Sequence, residues 1–218
     1  MKTLNMLVMS VCVLFLFSVP AMAQENLDNW ESWSDGTGEF TSSTIGTSAR
    51  LTACSEGDEN WTWGALYKEY PGMSGMMASF NVSEISGTAR TGFWKTIGNY
   101  PNGNEVIMQI YLDQWDEQKR VGYRIREREP DTREYVRVIS RGYLGGLDGS
   151  WEEGQDLMLA FLFLDNEIWL ASSTTQAFVK IMLWDQVTIS GSDFYVYAES
   201  FGAGQNSVDV SVSNLSVF

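Results

Sequence analysis

Apolar and polar positions alternate through residues 103–114, GNEVIMQIYLDQ, with the period of a β-strand. Val106, Met108, Ile110 and Leu112 fall on one face; Glu105, Ile107, Gln109, Tyr111 and Asp113 fall on the other. The first face suits a core. The second reads as an active site, a binding surface or a wet side. Similar pieces recur between Gly, Asn, Asp and Ser clusters: ARLTAC, WTWGALY, GMMASFNV, ARTGFWKTI, RVGYRIRE, EYVRVISRG, DLMLAFLFLD, EIWLAS, AFVKIMLW, DFYVYAES and SVDVSVSNLSVF. Roughly a dozen strands, with no useful helix-period segment after residue 23, predict a single all-β domain, a sandwich or a barrel. An outer-membrane barrel needs strands that alternate apolar outside with polar inside. LMLAFLFL, residues 157–164, is apolar on both faces, and SVSNLSVF breaks alternation at Asn214 and Leu215, so the expectation is a sandwich.

The first 23 residues stand apart. Lys2, an apolar run from Leu7 to Val19, Pro20 and the small-residue site Ala21-Met22-Ala23 predict a signal peptide over 1–23, cut before Gln24. The run is too short for a spanning helix, and Cys12 lies inside it rather than at a lipobox. The mature domain is then 24–218, exported to the periplasm or the exterior. It retains only Cys54, read as a small buried filler, so no intramolecular disulfide forms.

Composition removes several function classes. The chain has 28 acidic against 14 basic residues, for a net charge of −14, which argues against nucleic acid and anionic lipid as partners. It has no histidine. Ser-His-Asp and Cys-His catalysis and imidazole-built metal sites are therefore absent. Carboxylates, tyrosines and oxygen-ligated calcium remain. The acidic turns SDGTGE (34–39) and LDGSWEEGQD (147–156) have a composition that can hold a structural calcium, though without EF-hand spacing; no ligand set and no other cofactor is assigned. Asn60, Asn81 and Asn214 begin glycosylation patterns that matter only in a eukaryotic secretory route.

The order of strands resembles the concanavalin A-like lectin/glucanase jelly roll. The resemblance spans most of the mature chain, through NWESWSDGTGEF, the run GMMASFNV to VGYRIRE, DLMLAFLFLDNEIWL, and FYVYAES to SVDVSVSNLSVF. It implies two curved antiparallel sheets, with ligands on the concave face. Retaining β-glucanases of this superfamily carry Glu, Asp and Glu at alternate positions of one concave strand. The matching residues here are Glu105, Ile107 and Gln109, and an amide cannot exchange the proton that double displacement requires. Jelly-roll alginate lyases carry Gln-Ile-His; Gln109-Ile110-Tyr111 is similar, with Tyr in the base position, and Arg90 in ARTGFW partly matches their carboxylate-gripping arginine. If the chain is an enzyme, Glu105, Gln109 and Tyr111 are its catalytic candidates.

Alternation also gathers a binding set. If Phe93 and Phe194 are core, then Arg90, Trp94, Tyr195 and Tyr197 share the concave face with Glu105, Gln109 and Tyr111. Rings stack on the apolar face of a pyranose while amides and carboxylates bond its hydroxyls. Trp61, Trp63 and Tyr67 share a face that reads as core. Residues 119–141 are net basic in an acidic chain, with a turn at Pro130-Asp131. Arg124, Arg126 and Arg128 project from one face there, either as a solvated surface paired with Glu127, Glu134 and neighbouring acids or as an anion patch. Three functions fit: an exported, non-catalytic lectin-like protein binding a polysaccharide, acidic if the patch is used; a jelly-roll lyase or hydrolase; or a structural sandwich with no sugar site. The oligomeric state is not legible.

Overall fold

The computed structural model describes residues 24–57, 61–145, 150–164, 167–174, 178–183, 187–189 and 193–218. The predicted leader and Asn60 lie outside the described residues, as do 147–149 of the second acidic turn. Among the described residues no helix is long and apolar enough to cross a membrane.

In chain order the strands are β1 (Glu31–Gly36), β2 (Glu39–Ile45), β3 (Ser48–Glu56), β4 (Trp61–Glu69), β5 (Gly75–Ser86), β6 (Ala89–Asn99), β7 (Glu105–Trp115) and β8 (Gln118–Arg128). They continue as β9 (Tyr135–Tyr143), β10 (Asp156–Leu164), β11 (Glu167–Ser172), β12 (Phe178–Met182), β13 (Thr188–Ile189), β14 (Asp193–Phe201) and β15 (Gln205–Val217). One sheet runs β1-β4-β14-β6-β7-β8-β9, with β13 added to β6, and the other runs β12-β11-β10-β5-β15-β3-β2. All pairings are antiparallel. The two sheets stack as a jelly-roll sandwich. Each keeps two edges, so the described strands do not close a barrel.

Alternation places the core between the sheets. Val106, Met108, Ile110 and Leu112 of β7 are fully buried there, as the sequence predicts. Phe93 and Phe194 are also core, and their rings pack with Phe80 and Phe161 at centre distances of 5.1–5.8 Å. β10 sits inside the second sheet. Its inner residues Leu157, Leu159, Phe161 and Phe163 join this core, while Ala160 and Leu162 form a small outer cluster with Met77, Phe178 and Phe218. The break at Asn214 is a β-bulge: Asn214 has φ 54° and the pairing shifts between Ser213 and Ser216. Leu215 thereby returns to the core.

One expectation needs correction. Cys54 is half-buried rather than buried, and it alternates with the buried Ala53 and Ser55; burial first, then Glu56 and Glu39, pushes its thiol pKa up. The carboxylate of Asp209 accepts from Arg50 Nε at 2.8 Å and so already has a cation. Asp35 accepts from the Gly36 amide at 2.8 Å, and among the described residues no three acids converge on a metal position.

Candidate functional site

The first sheet carries the site on the face away from the core. Four strands separate β1 from β8, which in a flat sheet would put them about 24 Å apart. Yet the guanidinium of Arg133, in the β8–β9 turn, lies 5.8 Å from the ring centre of Trp33 on β1. Curvature and the hairpin tip together enclose a groove of about 610 Å³. Register explains its lining. Across β4, β14, β6, β7 and β8 the row Tyr67, Tyr195, Trp94, Gln109 and Arg124 shares one face. On one side the next row is Ala65, Tyr197, Gly92, Tyr111 and Gly122, and the one beyond it Trp63, Glu199, Arg90, Asp113 and Arg120; the next row on the other side brings Glu69 and Asp193 with Ile107 and Arg126.

Of the predicted binding set, Trp94, Glu105, Gln109 and Tyr195 line the groove, as do Arg126 and Arg128 of the predicted patch. Arg90, Tyr111 and Tyr197 are on the same face but are buried and do not line it. Arg124 does not line it either. The side of β7 that alternates with its core residues is therefore not simply wet: Ile107, Gln109, Tyr111 and Asp113 are all buried beneath neighbouring side chains.

Trp61, Trp63 and Tyr67 are not core. All three line the groove, with Trp61 40% exposed. The core side of β4 carries Thr62, Gly64 and Leu66, and at Gly64 the opposing sheet fills the gap: a Cβ there would lie 2.1 Å from the Phe40 ring. The aromatic side is thereby left for the groove. Trp63 is its centre, with ring distances of 4.9 Å to Trp33, 5.8 Å to Tyr195 and 6.4 Å to Trp94. Trp33, Asp35, Arg133 and Tyr135 were missed as groove residues by sequence reading, because the short polar β1 and the β8–β9 turn carry no periodic signal, and Tyr135 at the start of β9 belongs to a predicted strand whose register was unknown. The residues NWESWSDGTGEF, matched only by resemblance, were the available pointer.

The charges are arranged by strand. Glu105 accepts from Arg128 Nε at 2.9 Å and from its Nη2, and this guanidinium also sits 5.1 Å from the Trp94 ring. Gln109 Oε1 accepts from Arg126 Nη2 at 3.2 Å, which leaves the amide NH₂ of Gln109 as a donor. Arg90, buried, lies 3.4 Å from Glu199 and 5.0 Å above the Tyr111 ring. Glu127 faces the opposite way and pairs with Arg137 at 2.6 Å, so it does not neutralise the groove arginines. Burial raises the Tyr111 pKa despite Arg124 and Arg90 nearby, and raises that of Tyr195 to about 12. A tyrosine so shifted does not serve as a base near neutrality.

Asp113 lies between Arg90 and Arg120 in register, yet burial outweighs these cations and Arg124 and pushes its pKa up from 3.8 to about 6. A raised folded-state value means the folded protein holds the proton more tightly than the unfolded chain. The contribution to stability is full below about pH 4 and is lost as pH rises through about 6. Asp113→Asn should therefore remove a decline in melting temperature across that window, measured as the difference between the two proteins at each pH. Parallel curves would contradict this.

No protein-family model matches the chain, and no curated protein matches it in sequence. Solved structures do superpose on it. A functionally unknown protein from Saccharomyces cerevisiae aligns with a TM-score of 0.57 at 11% identity, over 89% of this chain and 98% of that one. A glycoside hydrolase family 16 endo-glucanase from Bacteroides ovatus aligns with a TM-score of 0.57 at 10% identity, over 89% and 98%. A legume lectin-like domain from Entamoeba histolytica gives 0.52 at 11%, over 85% and 89%. The chain has the concanavalin A-like jelly-roll fold. At these identities the likeness speaks for the fold alone.

Proposed function

We propose that the protein is an exported, non-catalytic glycan-binding protein that holds a polysaccharide in the groove of its curved sheet. The observation that carries this reading is the lining itself. Trp33, Trp61, Trp63, Trp94, Tyr135 and Tyr195 border one groove together with carboxylates, guanidiniums and the Gln109 amide. Rings offer flat apolar surface to pyranose faces, and the polar groups between them bond hydroxyls. The glucanase and the lectin-like domain that share the fold agree with a sugar ligand. Export rests on the leader at 1–23.

Chemistry on β7 supports binding over cleavage. Glu105 is held by Arg128, the next position on its face is the buried Ile107, and the next is an amide. Double displacement lacks a second acid at the alternate positions beside Glu105, since the other acid of that face, Asp113, stands eight residues on and does not line the groove; elimination lacks a base at the position the lyase resemblance indicates, since the Tyr111 pKa is raised.

A glycan array, followed by titration of the purified 24–218 chain with any polysaccharide that binds, tests this reading. Retention without new reducing ends or unsaturated products is expected. Depolymerisation that disappears in Glu105→Gln would replace it with an enzyme.

A further inference from the structure

β8 places arginines at three successive site-facing positions, Arg124, Arg126 and Arg128, and their partners differ. Arg128 is bound by Glu105. Arg124 is one of the cations acting on Asp113. Arg126 lines the groove, and among the described residues no carboxylate is within ion-pair distance of it. Its guanidinium is held in place by Tyr135, 4.1 Å below, and by the Nη2 bond to Gln109, while its buried Nε has no hydrogen-bond partner. Side chains fixed by stacking with a donor left over are suited to receive an anionic oxygen pair.

A second cation reaches the same groove from above. The β8–β9 tip is closed by Glu129 N–H to Glu134 O at 2.9 Å and Arg133 N–H to Glu129 O at 3.0 Å. Arg133 itself has φ 60° and reaches over Trp33, also with no ion-pair partner among the described residues. The opposite wall is acidic: Asp35 on β1, Glu69 on β4, and Asp193 and Glu199 on β14 all line the groove. Aromatic rings separate the two walls. A polymer with anions on both sides would be repelled by one wall, whereas one presenting its anion to β8 and its hydroxyls to the carboxylates satisfies both.

Resting on the glycan-binding reading, we propose that the ligand is an acidic polysaccharide whose carboxylate or sulfate groups seat on Arg126 beneath Arg133. Carboxylate and sulfate share the chemistry that a guanidinium fork recognises, and the test separates them. The 24–218 chain is titrated with polygalacturonate, alginate and dextran sulfate. Each is set against a neutral counterpart: carboxyl-reduced polygalacturonate, carboxyl-reduced alginate and dextran. At least one acidic polymer should bind ten-fold or more tighter than its counterpart. Its chemistry then names the anion. Arg126→Gln should erase that preference, costing the acidic polymer at least ten-fold more affinity than its neutral counterpart; Arg133→Gln, at an exposed turn where folding is not at stake, should reduce it. Equal or tighter binding of the neutral partners overturns the inference while leaving glycan binding intact. So does an equal loss for both polymers in Arg126→Gln, which would give Arg126 a purely structural role. Binding of nothing on the panel or on a glycan array removes the glycan reading and this inference with it.

Discussion

Phe93→Ala should lower folding stability by about 3–5 kcal/mol, the range for emptying a fully packed phenylalanine site. Phe93 is completely buried, and its ring meets Phe80, Phe161 and Phe194 at 5.1, 5.8 and 5.5 Å. These four come from β6, β5, β10 and β14, so the ring ties both sheets together. Against a total of about 5–15 kcal/mol the loss is a large fraction of what holds the domain together. For a chain of this length each kcal/mol is worth about 2–4 °C of melting temperature. Guanidinium unfolding should show a lower midpoint at nearly unchanged slope. A shift under about 1 kcal/mol would mean that the sheets are held elsewhere.

Trp63→Ala should weaken binding of any polysaccharide held in the groove by about 30–100-fold, or about 2–3 kcal/mol. Its ring touches Trp33, Tyr195 and Trp94 and lies within 6.1 Å of the Tyr197 ring, stacked at 20°. Removing it takes away a stacking surface and also loosens three others. Because Trp63 faces the groove and not the sandwich interior, stability should fall far less than affinity. Trp63→Phe should recover part of the binding, since a smaller ring keeps the face. Unchanged affinity in Trp63→Ala would move the binding surface away from β4.

How much of this was legible depends on what alternation encodes. It assigns residues to two faces of a strand but does not say which face meets the other sheet. On β7 and β6 the answer was plain, because Val106, Met108 and Ile110 outweigh their opposites, and Phe93 stands against Arg90. Lys95, however, follows Phe93 onto the core face and is 1% exposed, with burial lowering its pKa to about 8. On β4 the bulkier face looked like core and is not. The deciding residue is Phe40, which lies in the other sheet and fills the space above Gly64. Such a complement is set by tertiary packing, and nothing local to WTWGALY records it. Depth is equally hidden: Arg90, Tyr111 and Tyr197 were placed on the correct face, but the curvature that covers them belongs to the whole sheet. The β8 arginines were found by spacing alone, while their partners Glu105 and Gln109 needed the register.

The position of β15 bears on how the domain comes into being. This strand lies between β5 and β3 in the middle of its sheet. Arg50 bonds Asp209 across 159 residues of chain, and Ser83 reaches the Asp209 carbonyl across 126. Closing such loops costs entropy before any pairing is gained, which places β-sandwiches of this kind among the slower folders, in milliseconds to seconds. The centre of the second sheet thus has no local nucleus and forms only when distant segments meet. A chain with that delay keeps its apolar strands uncovered for longer than one built from local contacts.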